Sequence, residues 1–387
     1  MRRILVIVLF NVLLTLVVGE ILLRVIAPRF GGQIGVAARY VTTGQPYDQT
    51  WTPAWTTNRD HYYSLTPDLV DSLQYGSPMV SFKLTTNALW DGAIVGFRTR
   101  PIDFFVDGVV VGDSFGLCFT EQSDCWVDLL STKLSKNLVN LSQPVTGSRS
   151  HLKILQDYGA PLKPPLVIWQ FFGNDFNDDY GLAVLRDEMP SLTEPKETVS
   201  SNNVGDWLRH NSVLFAVIET ALNGRYLGLP VSETLFAKPY TVRFGENQQH
   251  TMMFGGLYEQ QALDMSREEN QLGRTMTTDA LAQAAQLVTT WEGRLVVLIM
   301  PTREEVYREI TELLMPVGAI DKLQSARDAI RDICTELALT CLDPYEMLHE
   351  RALLGEALYH VDDLHLNTAG NAALSVWLAE QDAIIGN

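Results

Sequence analysis

The stretch Val109-Val110-Val111-Gly112-Asp113-Ser114-Phe115-Gly116 decides the fold prediction. Its β-branched run is typical of a central strand that is buried on both faces, and Gly112 allows a sharp turn directly after it. Ser114 would therefore lie where a strand ends and a helix begins, at the edge where open α/β sheets bind ligands. Because Asp and Ser also cap ordinary helices, the stretch alone fits a plain helix start equally well.

Strands and helices alternate in the chain from Asp107 onward. Four further apolar runs predict strands, at residues 138–141, 166–172, 295–300 and 337–342. Helical stripes lie between them, such as Trp126, Leu130 and Leu134 at a spacing of four. This order predicts an α/β fold with a mostly parallel five-stranded sheet that helices cover on both faces.

Two segments fall outside this repeat. Residues 29–101 predict a lead-in with short strands that packs on a main domain of residues 102–387. An insertion at about 181–276 separates strands 3 and 4 and contains a predicted hairpin at 241–254. It also contains a predicted helix at 207–222, and the expected buried face of that helix carries Leu208, Leu214, Phe215 and Ile218. We expect the insertion to cover part of the cleft at the carboxyl edge of the sheet, although a pure packing role fits equally well.

The first 28 residues predict a membrane anchor. Arg2 and Arg3 precede an uncharged run at 4–19, and residues 4–27 are long enough to span a bilayer. Glu20 and Arg24 are four apart and can pair on one helical face near the outer interface. No small-x-small cleavage site follows the run directly, which favours an uncleaved transmembrane helix over a cleaved signal peptide. In both cases the main domain is exported and extracytoplasmic.

Composition excludes several classes of partner. The chain has 387 residues, of which 46% are hydrophobic and 19% charged, as in ordinary globular proteins. Its formal net charge of -17 argues against a nucleic-acid surface, which needs clustered Lys and Arg. It also argues against peripheral binding of the folded part to an anionic membrane face.

The four cysteines form two close pairs in the sequence. Cys118 and Cys125 bracket one short loop, and Cys334 and Cys341 bracket another. In an exported domain this arrangement favours two local disulfides over four buried thiols. A metal site is disfavoured because neither pair has the short spacing of zinc knuckles.

A nucleophilic serine needs a base and oxyanion donors, and the C-terminal part of the chain offers the base. Among the seven histidines, His365 alone has carboxylates two and three positions before it, Asp363 and Asp362. An acidic neighbour can orient an imidazole and stabilise its charged form. The sequence therefore pairs Ser114 with His365 as candidates.

Together these residues resemble the SGNH (GDSL-like) hydrolase superfamily, over about residues 85–387. Gly112-Asp113-Ser114-Phe115 matches the first block of that family, Gly173-Asn174-Asp175 the third, and Asp362 with His365 the D-x-x-H of the last. The resemblance implies a flavodoxin-like three-layer sandwich, ester hydrolysis or acyl transfer, and no metal or organic cofactor. It implies Ser114 as nucleophile, His365 as general base and Asp362 as the residue that orients it. Asn174 and the Ser114 backbone N–H would donate to the oxyanion.

Two positions stay open within this resemblance. Asp363 is an alternative to Asp362, because membrane-attached relatives resembling polysaccharide O-acetyltransferases use D-x-H spacing. The second block usually reads Asn and then Gly five positions later, but here Val145 stands at that place and Gly147 lies two residues beyond. A backbone N–H can donate from any residue except proline, so Gly147 or Val145 is the third oxyanion candidate.

The sequence thus predicts a membrane-anchored, extracytoplasmic serine esterase, deacetylase or O-acyltransferase that acts on an acyl ester through an acyl-enzyme. The expected ester is one of carbohydrate, by family analogy and export. Its expected contacts are this substrate and the membrane through the N-terminal helix, with no nucleic acid. The alternative is a catalytically inactive protein of the same fold that binds glycans or serves in assembly, which Val145 favours.

Overall fold

The computed structural model describes residues 2–30, 32–44, 54–100, 102, 105–192, 204–223, 226 and 238–386. The strands are β1 (Trp55–Asn58), β2 (Tyr62–Leu65), β3 (Ser72–Ser77), β4 (Val80–Leu84), β5 (Gly108–Val111), β6 (Leu138–Asn140), β7 (Leu166–Phe172), β8 (Tyr240–Phe244), β9 (His250–Phe254), β10 (Arg294–Met300) and β11 (Thr340–Leu342). The first helices are α1 (Arg2–Ile26), α2 (Gly32–Thr43), α3 (Ser114–Leu117), α4 (Trp126–Leu134), α5 (Ser148–Ile154), α6 (Asp175–Leu185), α7 (Val204–Asn211) and α8 (Val213–Asn223). The remaining helices are α9 (Leu257–Ala262), α10 (Glu268–Thr289), α11 (Arg303–Val306), α12 (Arg308–Thr311), α13 (Ala319–Glu336), α14 (Tyr345–Leu353), α15 (Thr368–Leu378) and α16 (Asp382–Ile385).

The central sheet confirms the predicted fold class. Its strand order is β11-β10-β7-β5-β6, and every neighbouring pair is parallel. Read from β6, this is the flavodoxin-like order, in which the first strand in sequence lies second from the edge. Helices flank the sheet: α4 packs with α15, and α5 and α6 both pack on α10. The result is a three-layer α/β sandwich.

The burial of the central strands explains why the sequence predicts them. All residues of β5 and β7 are buried, so these strands are continuous apolar runs. Trp126 from α4 and Trp169 from β7 are the largest of the fully buried side chains.

Outside the central sheet, the described strands form antiparallel pairs. The lead-in contributes β1–β2 and β3–β4, and the insertion contributes the predicted hairpin β8–β9. The predicted helix at 207–222 is in fact two helices, α7 and α8, which are separated at Ser212. Its predicted buried face is also wrong at Ile218, which is exposed, while Val213 and Ala216 are buried.

Candidate active site

Ser114 lies at the turn between β5 and α3, at the carboxyl end of the strand that is second from the edge of the sheet. Asp113 caps α3, since its Oδ1 accepts the N–H of Phe115 at 2.8 Å. Gln170 of β7 supports the turn, because its Oε1 accepts the N–H groups of Asp113 at 2.9 Å and Gly116 at 3.0 Å. A Cβ on Gly112 would lie 2.4 Å from that oxygen, which explains the glycine. The turn holds the Ser114 backbone rigidly against two neighbouring strands.

A chain of hydrogen bonds joins Ser114, His365 and Asp363. His365 Nε2 lies 2.7 Å from Ser114 Oγ, and His365 Nδ1 lies 2.5 Å from Asp363 Oδ1. The backbone N–H of His365 also donates to Asp363, at 2.9 Å. Ser114 is 9% exposed and His365 is 6% exposed, so these hydrogen-bonded side chains lie largely out of contact with water. This arrangement can pass a proton from the serine to the imidazole while the carboxylate stabilises the resulting charge.

The structure places Asp363, and not Asp362, against His365. Asp362 turns the other way and accepts hydrogen bonds from Ser77 Oγ at 2.7 Å and from the Met79 N–H at 3.2 Å. The contacts favour the D-x-H alternative over the D-x-x-H match, because the Asp362 carboxylate is hydrogen-bonded to the lead-in hairpin and the Asp363 carboxylate to His365.

The two carboxylates differ in their electrostatics. Burial alone would raise the pKa of Asp363, but the charge and hydrogen bonds of His365 outweigh it and hold that pKa well below its usual range. Burial raises the pKa of Asp362 to about 6, although the hydrogen bond from Ser77 opposes the shift. Asp363 is thus the stronger candidate to stay ionised beside an imidazolium.

Aromatic rings and a disulfide enclose His365. The rings of Phe119 and Phe115 lie 4.1 Å and 4.7 Å from the imidazole, measured between centroids. Cys118 and Cys125 are paired at disulfide distance, with their Cα atoms 5.5 Å apart, so the loop that carries Phe119 is closed. The second predicted pair, Cys334 and Cys341, also lies at disulfide distance.

Arg303 supports the loop that carries Asp363. It follows β10, is fully buried, and its Nη1 donates to the Asp363 carbonyl oxygen at 2.9 Å. The same nitrogen also reaches the carbonyl oxygens of His360 at 3.3 Å and Val361 at 3.4 Å. The guanidinium therefore fixes the backbone on which the carboxylate stands.

Asn174 lies after β7, as the third sequence block predicts, and its amide is engaged. Nδ2 donates to Asp178 Oδ2 at 2.9 Å and to the Tyr258 hydroxyl at 3.1 Å. Its Oδ1 is buried and has no hydrogen-bond partner among the described residues. Burial, with the nearby charges of Asp113 and Asp179, raises the pKa of Asp178 well above its usual range. Burial therefore favours the protonated form of Asp178.

No family model matches the chain, and no curated protein matches it by sequence. Among solved structures, TesA aligns with 14% identity and a TM-score of 0.37, covering 71% of this chain and 98% of its own. A lipase/acylhydrolase from Enterococcus faecalis aligns with 11% identity and a TM-score of 0.37, covering 72% and 96%. An acetyl xylan esterase aligns with 10% identity and a TM-score of 0.36, covering 71% and 100%.

A protein of the G-D-S-L family from Desulfitobacterium hafniense aligns with 10% identity and a TM-score of 0.36, covering 70% of this chain and 98% of its own. The identities and TM-scores are low, so the fold assignment rests on the strand order of the chain, and the candidate site rests on the contacts at Ser114.

In its second sequence block, this chain differs from the SGNH pattern described above. Val145 has a φ of +51°, the left-handed region that a β-branched side chain rarely adopts. Gly147 lies two residues on, where a Cβ would meet the Asp175 carbonyl oxygen at 2.4 Å. The glycine at 147 is thus needed for the close approach of α6, and the position where the family has glycine is a strained valine.

Four residues around the candidate site were not predicted from the sequence. They are Ser77, Asp178, Tyr258 and Arg303. Each comes from an element far from the motif blocks or carries a residue type that is common on surfaces. Asp178 alone had a usable signal, since it lies four residues after Asn174 and therefore on the same face of a helix.

Proposed function

We propose that the chain is a membrane-anchored, extracytoplasmic serine esterase or O-acyltransferase. The observation that carries the proposal is the chain of hydrogen bonds from Asp363 through His365 to Ser114. Ser114 is the proposed nucleophile, His365 the general base, and Asp363 the residue that orients and stabilises His365. The proposed substrate is an acyl ester of a carbohydrate, a class that follows from the family resemblance and the predicted export.

The proposed reaction proceeds through an acyl-enzyme. Ser114 Oγ attacks the acyl carbonyl carbon, and its proton passes to His365 Nε2. The tetrahedral oxyanion collapses and expels the alcohol, which takes the proton from His365. Water or a second hydroxyl group then attacks the acyl-Ser114 ester with His365 as base, which gives hydrolysis or transfer respectively.

The oxyanion needs donors, and Asn174 supplies one after a simple rotation. Turning its amide by half a turn exchanges Oδ1 with Nδ2 and keeps both contacts when Asp178 is protonated, because the Tyr258 hydroxyl and a protonated carboxyl can each donate to Oδ1. Nδ2 then takes the place of the buried, unpartnered oxygen. The Ser114 N–H is the second proposed donor, and Gly147 or Val145 the third.

A non-catalytic glycan-binding or assembly protein is the second candidate function. One observation favours it: in the structure, both amide hydrogens of Asn174 are given to Asp178 and Tyr258, which leaves none for an oxyanion. The strained Val145 at the family glycine position points the same way.

One experiment separates the two candidates. The full chain in detergent is incubated with an aryl acetate and with a fluorophosphonate probe, beside a Ser114→Ala variant. Ser81→Ala is the matched control, since Ser81 is an exposed serine of β4. We expect turnover and a single label on Ser114 in the wild type and the control, and neither in Ser114→Ala. A correctly folded wild type that neither turns over ester nor reacts at Ser114 would favour the binding protein. Adding a glycan acceptor to the same assay distinguishes transfer from hydrolysis.

A further inference from the structure

The end of the apolar helix α1 is built into the insertion of the main domain. Glu20 caps α8: it accepts hydrogen bonds from Ser212 Oγ at 2.8 Å and from the N–H groups of Val213 and Leu214, both at 2.9 Å. A carboxylate at a helix N-terminus also interacts favourably with the helix dipole. Arg24 pairs with Glu20 at 2.8 Å and donates to the Asn211 carbonyl oxygen at 2.5 Å. Glu20 and Arg24, the two charged residues of this part of α1, thus both form hydrogen bonds with the insertion.

One face of α8 packs on α1 and α2 through small residues. Val213 and Ala216 are fully buried there, against Ala27, Ala37 and Ala38. These contacts bring the helices close together and explain why the larger side chains of α8 point elsewhere.

The opposite face of α8 presents large apolar side chains outward. Ile218 is 51% exposed and Leu222 is 81% exposed, and Trp207 of the preceding helix α7 is 63% exposed. The acidic residue of α8, Glu219, is paired with Arg209 at 2.7 Å, so it adds no unpaired charge to this face. Such a face is unfavourable in water, and it matches the composition of helices that lie in a membrane interface, with Trp at the headgroup level.

This apolar face continues the apolar surface of α1. A Cβ on Gly19 would lie 4.0 Å from Leu214 Cδ2, so α8 begins where the uncharged run of α1 ends. Residues 6–18 of α1 are exposed, and α1 is the helix of the described chain that is long and apolar enough to cross a membrane. Because α8 lies beside α1, the partner expected for the exposed face of α8 is the lipid bilayer that α1 can span.

We propose that the outer face of α8, with Trp207, lies in the interface of the same lipid bilayer that α1 spans. This proposal rests on the proposed membrane anchoring of the chain. It makes α1 a retained part of the fold, because removing it would leave the α8 N-terminus uncapped and the small-residue face uncovered. The insertion, whose Tyr258 contacts Asn174 at the candidate site, is then the part of the main domain that lies on the membrane surface.

The test measures where single side chains lie in full-length protein reconstituted into phosphatidylethanolamine–phosphatidylglycerol vesicles. The chain has four cysteines, all paired, so one added cysteine can be labelled selectively with an environment-sensitive fluorophore. The test positions are Ile218→Cys and Leu222→Cys. Glu246→Cys is the control, because Glu246 is an exposed residue of the β8–β9 turn in the same insertion.

We expect nitroxides on the lipid acyl chains to quench the labels at 218 and 222 at least several-fold more than the label at 246, and a water-soluble nitroxide to give the reverse order. Labels at 218 and 222 that report water would overturn the proposal. Labels shielded from both quenchers would overturn it in favour of a second copy of the chain on this face. The intact mass of the purified protein shows whether α1 is retained. None of these measurements depends on Ser114. The membrane-interface proposal can therefore be wrong while the esterase proposal is right, and the esterase proposal can be wrong while this one is right.

Discussion

At the residue scale, two adjacent aspartates have different contacts. Asp363 lies against His365, whereas Asp362 accepts hydrogen bonds from the lead-in hairpin at Ser77 and Met79. The sequence narrowed the choice to these two carboxylates. It could not decide between them, since both D-x-x-H and D-x-H are compatible with a serine hydrolase and the decision depends on local backbone direction.

The first prediction compares Asp363→Asn with Asp362→Asn. Asn at 363 cannot stabilise an imidazolium and favours the wrong tautomer of His365, so kcat for an aryl acetate should fall on the order of 10³–10⁴-fold. Asn at 362 can still accept from the Met79 N–H through its amide oxygen, and its amide nitrogen can donate to Ser77 Oγ, so we expect less than about a tenfold loss. Steady-state kinetics of both folded variants check this, and the opposite ranking would show that Asp362 is the orienting residue.

The second prediction concerns Asp178, which contacts Asn174. If Asp178 donates to the Asn174 amide oxygen, Asp178→Asn should retain activity near neutral pH, because an amide N–H can replace the acid O–H. Asp178→Ala leaves Asn174 free to rotate and should lower kcat about 10- to 100-fold with little change in KM, as loss of an oxyanion donor does. Tyr258→Phe should fall between them. Equal loss in Asp178→Asn and Asp178→Ala would exclude donation by this residue.

At the element scale, the hairpin β3–β4 reaches the candidate site from the lead-in. The alternating sequence at 79–84 predicts a strand, and β4 confirms it with every second residue buried. Its place against Asp362 and Phe119 was not predictable, because an antiparallel hairpin shows which residues face inward but not which distant surface they meet. The lead-in, for which the sequence predicts only packing on the main domain, therefore also contacts Asp362 and lies close to Asp363.

The third prediction tests this cover with Gly76→Ala. An added Cβ at Gly76 would lie 2.3 Å from Phe119 Cδ2 and 3.2 Å from Asp363 Oδ2, so the hairpin must move away from the ring that packs on His365. We expect a loss of stability of about 1–3 kcal/mol by thermal unfolding, typical of overpacking, and a fall in kcat. Ser81→Ala in the exposed face of β4 is the control and should change neither. Unchanged activity in a destabilised Gly76→Ala protein would show that the hairpin only packs.

The helices of the insertion show where sequence patterns mislead. Apolar periodicity placed Ile218 on a buried face, but α8 buries Val213 and Ala216 instead. Periodicity identifies an apolar stripe and not its partner, and small residues are favoured where helices approach closely. The sheet was easier to predict, because a strand such as β7 is buried on both faces and needs no choice of side.

At the scale of the whole molecule, the acidic composition is partly internal. Asp113, Asp175, Asp178 and Asp179 are buried, and two of them adjoin Ser114 and Asn174 in the sequence. Burial raises the pKa of Asp113 to about 6 and that of Asp179 to about 7. Counting all acidic residues as ionised therefore overstates the negative charge of the folded protein near pH 6. Composition alone cannot show this, since it depends on which carboxylates the fold removes from water.

The fourth prediction follows from Asp179, whose pKa is raised mainly by burial, although hydrogen bonds from Arg149 and Thr277 oppose the shift. An unfolded aspartate releases its proton near pH 4, whereas the folded one keeps it to about pH 7. Over that window the native state binds more protons than the unfolded state. The free energy of unfolding contributed by Asp179 is therefore largest below about pH 4 and falls as the pH rises to about 7.

Asp179→Asn isolates this effect from groups of opposite sign, such as His151, whose pKa is lowered by burial to about 3. The amide can accept from the Arg149 N–H and donate to Thr277 Oγ1, so both existing partners of Asp179 are kept. We expect the variant and the wild type to have nearly equal Tm near pH 4, and the variant to gain several degrees by about pH 8. His151 and the other histidines are common to both proteins and cancel in the difference. A Tm difference that stays constant with pH would mean that the pKa of Asp179 is the same in the folded and the unfolded protein, and it would overturn this prediction.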